Sequence, residues 1–290
     1  MKKNNKSILI LVTLIFILII FLINVDLIIS NIINYTIIFF NKLFPVSFIL
    51  YLIVYMLIEY DLIQFINNYL HINSCNLFLF ILSFINGFPS GTKYSKLLLD
   101  KNLIDKEYQD SLIKFTHFPN ILFLFGTVKH VINDIKITYY LLLSIFFSNL
   151  IIMLFSKRKK INIINNFNNN SFSNVLRNGI IYSTKTLLLI YGTSLFFYLI
   201  SSVILFDNIY LNVFISGIFD LTNGIVSCDL INNVFIKSIF ILFFLSFGSI
   251  SIHMQVAEIL NDKNSYYSYL KGRIIGSFLS VLIFIILYFK

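Results

Sequence analysis

The chain is poor in charge, in alanine and in helix-breaking residues. Charged side chains make up 12% of its 290 residues, about half the share found in an ordinary soluble domain. Such a chain cannot cover a soluble globule of this length. The two cysteines, Cys75 and Cys228, stand far apart. That excludes a disulfide-stapled scaffold and a Cys-x-x-Cys metal or redox site, and both read as small apolar packing residues. H-E-x-x-H, G-x-S-x-G and a nucleotide-binding glycine loop are all missing, so no enzyme class is signalled and no cofactor is expected. "GFPSGTK" lacks the spacing of a phosphate loop and is not followed by an α/β pattern.

What the chain has is long apolar runs. It is 58% hydrophobic with 33 phenylalanines and a mean hydropathy of +0.86. Continuous runs fit an all-α polytopic membrane protein, whereas a membrane barrel would show short alternating segments. The abundance of Ile, Asn, Lys and Phe beside a single alanine, Ala257, suggests an AT-rich gene. Glycine and proline need GC-rich codons, so the ten glycines and three prolines mark physical need. The tract "NNFNNN" (Asn165–Asn170) reads as linker. Net charge is +9, clustered at Lys2, Lys3 and Lys6 and at "SKRKK". These clusters read as cytoplasmic loops, not as a nucleic-acid surface. Ser7–Ile23 follows a basic start but has no small-x-small cleavage site, and reads as a membrane helix.

Further spans are expected at Ile32–Ile58, with Pro45 inside, at Thr138–Phe155, at Thr186–Phe206 and at Ile274–Phe289. The stretch from Asn76 to Leu99 is long enough to cross once, but Gly87, Pro89 and Gly91 interrupt its centre. Freed backbone survives at membrane depth where protein buries it or water reaches it. The segment therefore reads as a re-entrant hairpin with both ends cytoplasmic, and the region around 213–230 as its outward-opening counterpart. Most of the 22 basic residues then fall inside with the N-terminus, among them Lys93, Lys96, Lys101, Lys106, Lys114, Lys157, Lys263, Lys271 and Arg273. This plan makes residues 1–290 one membrane domain. Residues 32–155 form a first repeat, 156–178 a basic and Asn-rich cytoplasmic linker, and 179–290 a second repeat of inverted topology. Each repeat has a re-entrant hairpin and a discontinuous helix, as in many secondary transporters.

Candidate functional residues cluster at the breaks. Gly87, Pro89, Ser90, Gly91, Thr92 and Lys93 open a half-helix whose N-terminal N–H groups suit an anion. Lys93 either adds its charge to that site or snorkels to the interface. "FTHFPN" supplies Thr116, His117 and Asn120 beside Pro119; His117 suits a substrate, a proton or a packing role. "FDLTNG" holds Asp220, Thr222 and Asn223. A carboxylate in so apolar a hairpin costs about 2.5–3.5 kcal/mol unless paired or hydrated, so Asp220 suits a coupling Na+ or H+, or else faces water. In "FGSISIHMQ", an extended backbone would put Ser249, Ser251, His253 and Gln255 on one side, facing a cavity or a packing partner.

These motifs carry a resemblance. "GFPSGTKYSKLLLDKNLI…FTHFPNILFLFGTV", "GIFDLTNGI" and "SFGSISIHMQVAEIL…YLKGRIIGSFLS", with "FPVSFILYLIVYMLIE" upstream, occur in order over most of the chain. Together they resemble the YlbJ-type sporulation integral membrane proteins. Those belong to the nucleoside-recognition or Gate domain group, related to concentrative nucleoside transporters and to the membrane part of FeoB iron transporters. The family usually has Glu where Asp220 stands and Asn where His117 stands. The resemblance implies a transporter or pore that moves a small organic anion, dipicolinic acid, across the mother-cell-derived outer membrane of the forespore. A nucleoside-like solute and a non-transporting Gate-domain scaffold of the spore envelope are the alternatives. The partners expected are the lipid bilayer and the anion, with a homo-oligomer left open.

Overall fold

The computed structural model describes residues 2–63, 65, 75–157, 171–204 and 206–290. Arg158, Lys159, Lys160 and the Asn165–Asn170 tract lie outside them. Among the described residues every regular element is helical.

The chain begins with α1 (Lys2–Ile23) and α2 (Val25–Ile38), which meet at a 94° bend. A π-helical turn, Phe39–Leu43, leads from α2 into α3 (Phe44–Glu59). It stands just before Pro45, whose missing N–H and bulky ring disturb an α-helix at that point. The helical segment that leads into α3 starts at Val25, earlier than the expected Ile32. Next come α4 (Asn76–Asn86) and α5 (Ser90–Asp100), then α6 (Lys106–Leu112) and α7 (Ile121–Ile132), then α8 (Ile135–Phe155). The second half comprises α9 (Phe172–Val203), α10 (Ile209–Phe219), α11 (Leu221–Ser227), α12 (Val234–Phe247), α13 (Ile250–Leu260) and α14 (Lys263–Tyr288). Helix α9 begins within the segment read as linker. At 32 residues it is about 48 Å long, so its polar first turns extend beyond a hydrocarbon core about 30 Å thick.

Four helical segments are long and apolar enough to cross a membrane: Ile135–Phe155, Phe172–Val203, Lys263–Tyr288 and Val234–Leu260, the last interrupted at Gly248. The protein is an all-α polytopic membrane protein.

Polar contacts define two ends of the molecule. At the first, Lys101 pairs with Glu59 (3.1 Å) and Lys106 with Asp262 (3.3 Å). Lys157 pairs with Glu107, and the Lys157 carbonyl accepts from Ser111 (3.3 Å). Tyr108 Oη donates to Asn76 Oδ1 (2.6 Å). The start of α4 therefore lies beside α6, and α4–α5 is a hairpin rooted at this end. Asp262 caps α14, and the Ser265 N–H holds its carboxyl below the usual value. At the second end, Lys237 Nζ donates to the Val131 carbonyl (3.2 Å) and lies 3.4 Å from Asp229. Tyr288 shares a bowl with these residues. Helix α9 runs antiparallel to α2–α3, since Tyr182 meets Tyr55 and Tyr198 meets Tyr35.

These placements fix the path. Helices α2–α3, α8 and α14 each connect the two ends, as do α6–α7, α9 and α12–α13. The hairpin α4–α5 enters from the first end. Hairpin α10–α11 folds back at Asp220 and leaves toward the second, where Asp229 meets Lys237. Its arms touch so closely that a Cβ at Gly224 would overlap the Gly217 backbone. Lead helices α3 and α9 pack together, and so do closing helices α8 and α14. The two halves are thus inverted copies of one plan.

Candidate functional site

Both hairpin tips and both breaks in the discontinuous helices meet at the centre. They line a cavity of about 100 Å³. Asn86 and Phe88 reach it from the first hairpin, Asp220 and Thr222 from the second, Asn120 from the α7 break, and Ser251 and Gln255 from α13. Ser194 on α9 and Tyr35, Ser47 and Tyr51 on α2–α3 complete the polar part of the wall.

Local chemistry explains each break. Gly87 ends α4 at φ 75°, ψ 176°, and Gly248 ends α12 at φ 92°, ψ 166°. This region is essentially closed to residues with a Cβ. After Gly87, the Phe88 N–H donates to the Phe118 carbonyl (2.7 Å), tying the hairpin to the α6–α7 break. Asn120 caps α7 by accepting from the Leu122 N–H (2.8 Å), and Asp220 caps α11 by accepting from the Asn223 N–H (3.0 Å). Both are residues that satisfy first-turn N–H groups. Asp220 is 1% exposed. Its other oxygen lies 3.4 Å from Ser251 Oγ, and among the described residues no cation pairs with it. Asn86 Nδ2 donates to Tyr94 Oη, while Asn86 Oδ1 is buried without a partner among the described residues.

The remaining expected residues separate into wall and support. Pro89, Ser90, Gly91 and Thr92 stand behind the tip, where a Cβ on Gly91 would overlap Thr116. Thr116 Oγ1 donates to the Leu112 carbonyl (3.0 Å). Lys93 is outside the cavity wall, with Nζ 4.8 Å above the Tyr182 ring. His117 stacks on Phe88 and shares a hydrogen bond with Tyr269 (3.0 Å) behind the wall. Asn223 donates its amide to Ser201 (2.7 Å), whereas Thr222 lines the cavity.

The expectation of an extended backbone after Gly248 is corrected. Ile250–Leu260 is helical, with Ser249 at its N-cap. Helical spacing puts Ser251 and Gln255, four apart, on the cavity face. His253 instead contacts Tyr266 (3.0 Å) and the Phe247 carbonyl (3.2 Å), and Ser249 bonds Ser251 (2.7 Å). Gln255 donates to Ser194 (3.2 Å), anchoring this face to α9.

A second correction concerns Arg273, read as a cytoplasmic flanking charge. It is 1% exposed. One Nη donates to the Ser246 carbonyl (3.1 Å), in the last turn of α12, and the other to the Lys114 carbonyl, just past α6. The guanidinium thus satisfies the open C-terminal carbonyls of two half-helices and meets the negative ends of their dipoles. Asn149 links this group to the His117 carbonyl (2.8 Å). Only a side-chain fork reaching two carbonyls distant in sequence distinguishes this arginine from a flank.

Searches of protein-family models, curated proteins and solved structures found no match to this chain.

Proposed function

We propose that the protein is a secondary transporter or pore for a small organic anion, which passes through the central cavity while Asp220 takes the coupling Na+ or H+. One observation carries the reading: the N-terminal ends of α7 and α13 reach a central cavity that also holds the buried Asp220 carboxylate, which among the described residues has no cationic partner. The helix ends favour a solute anion. The carboxylate, with the Thr222 and Ser251 hydroxyls nearby, offers hard oxygen donors to a small cation or a proton. A scaffold would gain nothing from such costly groups at mid-membrane depth. In the sequence resemblance the anion is dipicolinate and the membrane surrounds the forespore. At about 100 Å³ the cavity is below the usual 300–1,000 Å³ of pockets for drug-sized ligands, so an aromatic dicarboxylate requires the hairpin tips to part. The positive-inside rule makes the first end cytoplasmic, since Lys96, Lys101, Lys106 and Lys157 cluster there.

The test is uptake of labelled dipicolinate into liposomes with and without an ion gradient. Wild type should accumulate it, and Asp220→Asn should bind it without accumulating it. Absence of gradient-driven uptake by the wild type, or normal accumulation by the asparagine variant, overturns the proposal.

A further inference from the structure

Behind the Tyr51 and Asn86 side of the cavity, side chains of α3, α5 and α9 meet in an unusual seam. Four buried polar atoms along it have no hydrogen-bond partner among the described residues: Asn86 Oδ1, Tyr51 Oη, Tyr182 Oη and Ser183 Oγ. Asn86 and Tyr51 line the cavity. The Tyr51 and Tyr94 rings lie 6.2 Å apart, and Asn86 donates to the Tyr94 hydroxyl. One turn along α3 toward the first end, the Tyr55 and Tyr182 rings lie 4.8 Å apart at a tilt of 37°, and Lys93 Nζ lies 4.8 Å above that same Tyr182 ring.

A dry seam of this kind is hard to reconcile with membrane depth. An unsatisfied buried polar group costs about 1–3 kcal/mol, and native interiors satisfy nearly all such groups with protein or water. Four along one seam that leads to a lysine ammonium call for water, which bridges otherwise unpaired buried groups. We infer that the α3–α5–α9 seam is a hydrated passage joining the central cavity to the first end, with Lys93 at its mouth. The Lys93 ammonium, held over the Tyr182 ring, biases that mouth toward anions. Lys93 then acts on the solute as it enters or leaves, not where it is bound.

The inference deepens the transport reading, but its test does not depend on transport. In a background lacking Cys75 and Cys228, Ser183→Cys is placed in the seam and Leu188→Cys on the exposed side of the same helix. Reconstituted protein is treated with anionic methanethiosulfonate ethylsulfonate and with its cationic trimethylammonium analogue. Thiolate chemistry needs water, so the seam cysteine should react at least about tenfold faster than the lipid-facing one. The anionic reagent should be favoured there, and Lys93→Gln should remove that preference. Equal, slow labelling at both positions overturns the passage. Should Ser183→Cys fail to fold, Tyr182→Phe serves instead. A hydrated hydroxyl predicts a lower Tm on its loss, and an unchanged or higher Tm shows a dry seam. Fast seam labelling without dipicolinate uptake would leave the passage standing while the transport reading fell.

Discussion

Arg273 shows at residue scale how two breaks are held. It places a full charge at the centre of the fold, and among the described residues no carboxylate pairs with it. Two effects compete on its removal. Losing a buried charge is favourable, and apolar replacements for buried ions are often neutral or stabilising. Against this, the Ser246 and Lys114 carbonyls lose charged donors worth about 1.5–3 kcal/mol each. The second effect should win, because among the described residues no backbone N–H donates to either carbonyl at these breaks. Arg273→Met is expected to lower the Tm strongly, and Arg273→Lys, which retains charge but not the fork, to fall between it and wild type. A methionine variant more stable than wild type would show that charge burial dominates.

The broken helix is the unit at element scale, and its two glycines are not equivalent. Both occupy a backbone region that costs about 1–3 kcal/mol for a residue with a Cβ. At Gly87 the added carbon would also lie 2.5 Å from the Asn120 backbone nitrogen, whereas at Gly248 the nearest atom is His117 Cε1 at 3.5 Å. Overpacking adds about another 1–3 kcal/mol at the first site. Gly87→Ala should therefore lose markedly more thermal stability than Gly248→Ala, as melting curves in detergent would show; equal losses would mean that the hairpin tip shifts freely. These breaks were legible in the sequence because glycine and proline are so rare there. The geometry beyond them was less so. Four alternating polar residues after Gly248 match a strand pattern as well as a helical cap followed by one wet face, and periodicity over so few residues does not separate the two.

For the molecule as a whole, the inverted plan sets which loops share a side. Ser171 precedes α9 at the first end and Asn264 opens α14 there, while Lys136 and Asn232 belong to the second. Single cysteines at Ser171 and Asn264 should be modified from one side of a sealed vesicle, and those at Lys136 and Asn232 from the other. Ser171 and Asn232 labelled from the same side would invalidate the path described above. Much of this arrangement could be read from apolar run lengths and the uneven spread of lysine. Arg273, Asn149 and Tyr269 could not, because their roles depend on contacts between α6, α8, α12 and α14 that no local pattern encodes.

The seam beside Lys93 also has an electrical consequence. Water in it extends the conducting solution of the first end almost to Asp220, and a conductor carries little of the membrane voltage. The drop is then concentrated in the thinner layer between the cavity and the bowl around Lys237 and Asp229. Moving one elementary charge through the whole field is worth about 2.3 kcal/mol per 100 mV. A cation arriving at Asp220 from the second end would traverse most of that, and one arriving from the first end very little. Occupancy of the carboxylate should thus respond steeply to voltage when the ion is supplied at one side and weakly when it is supplied at the other.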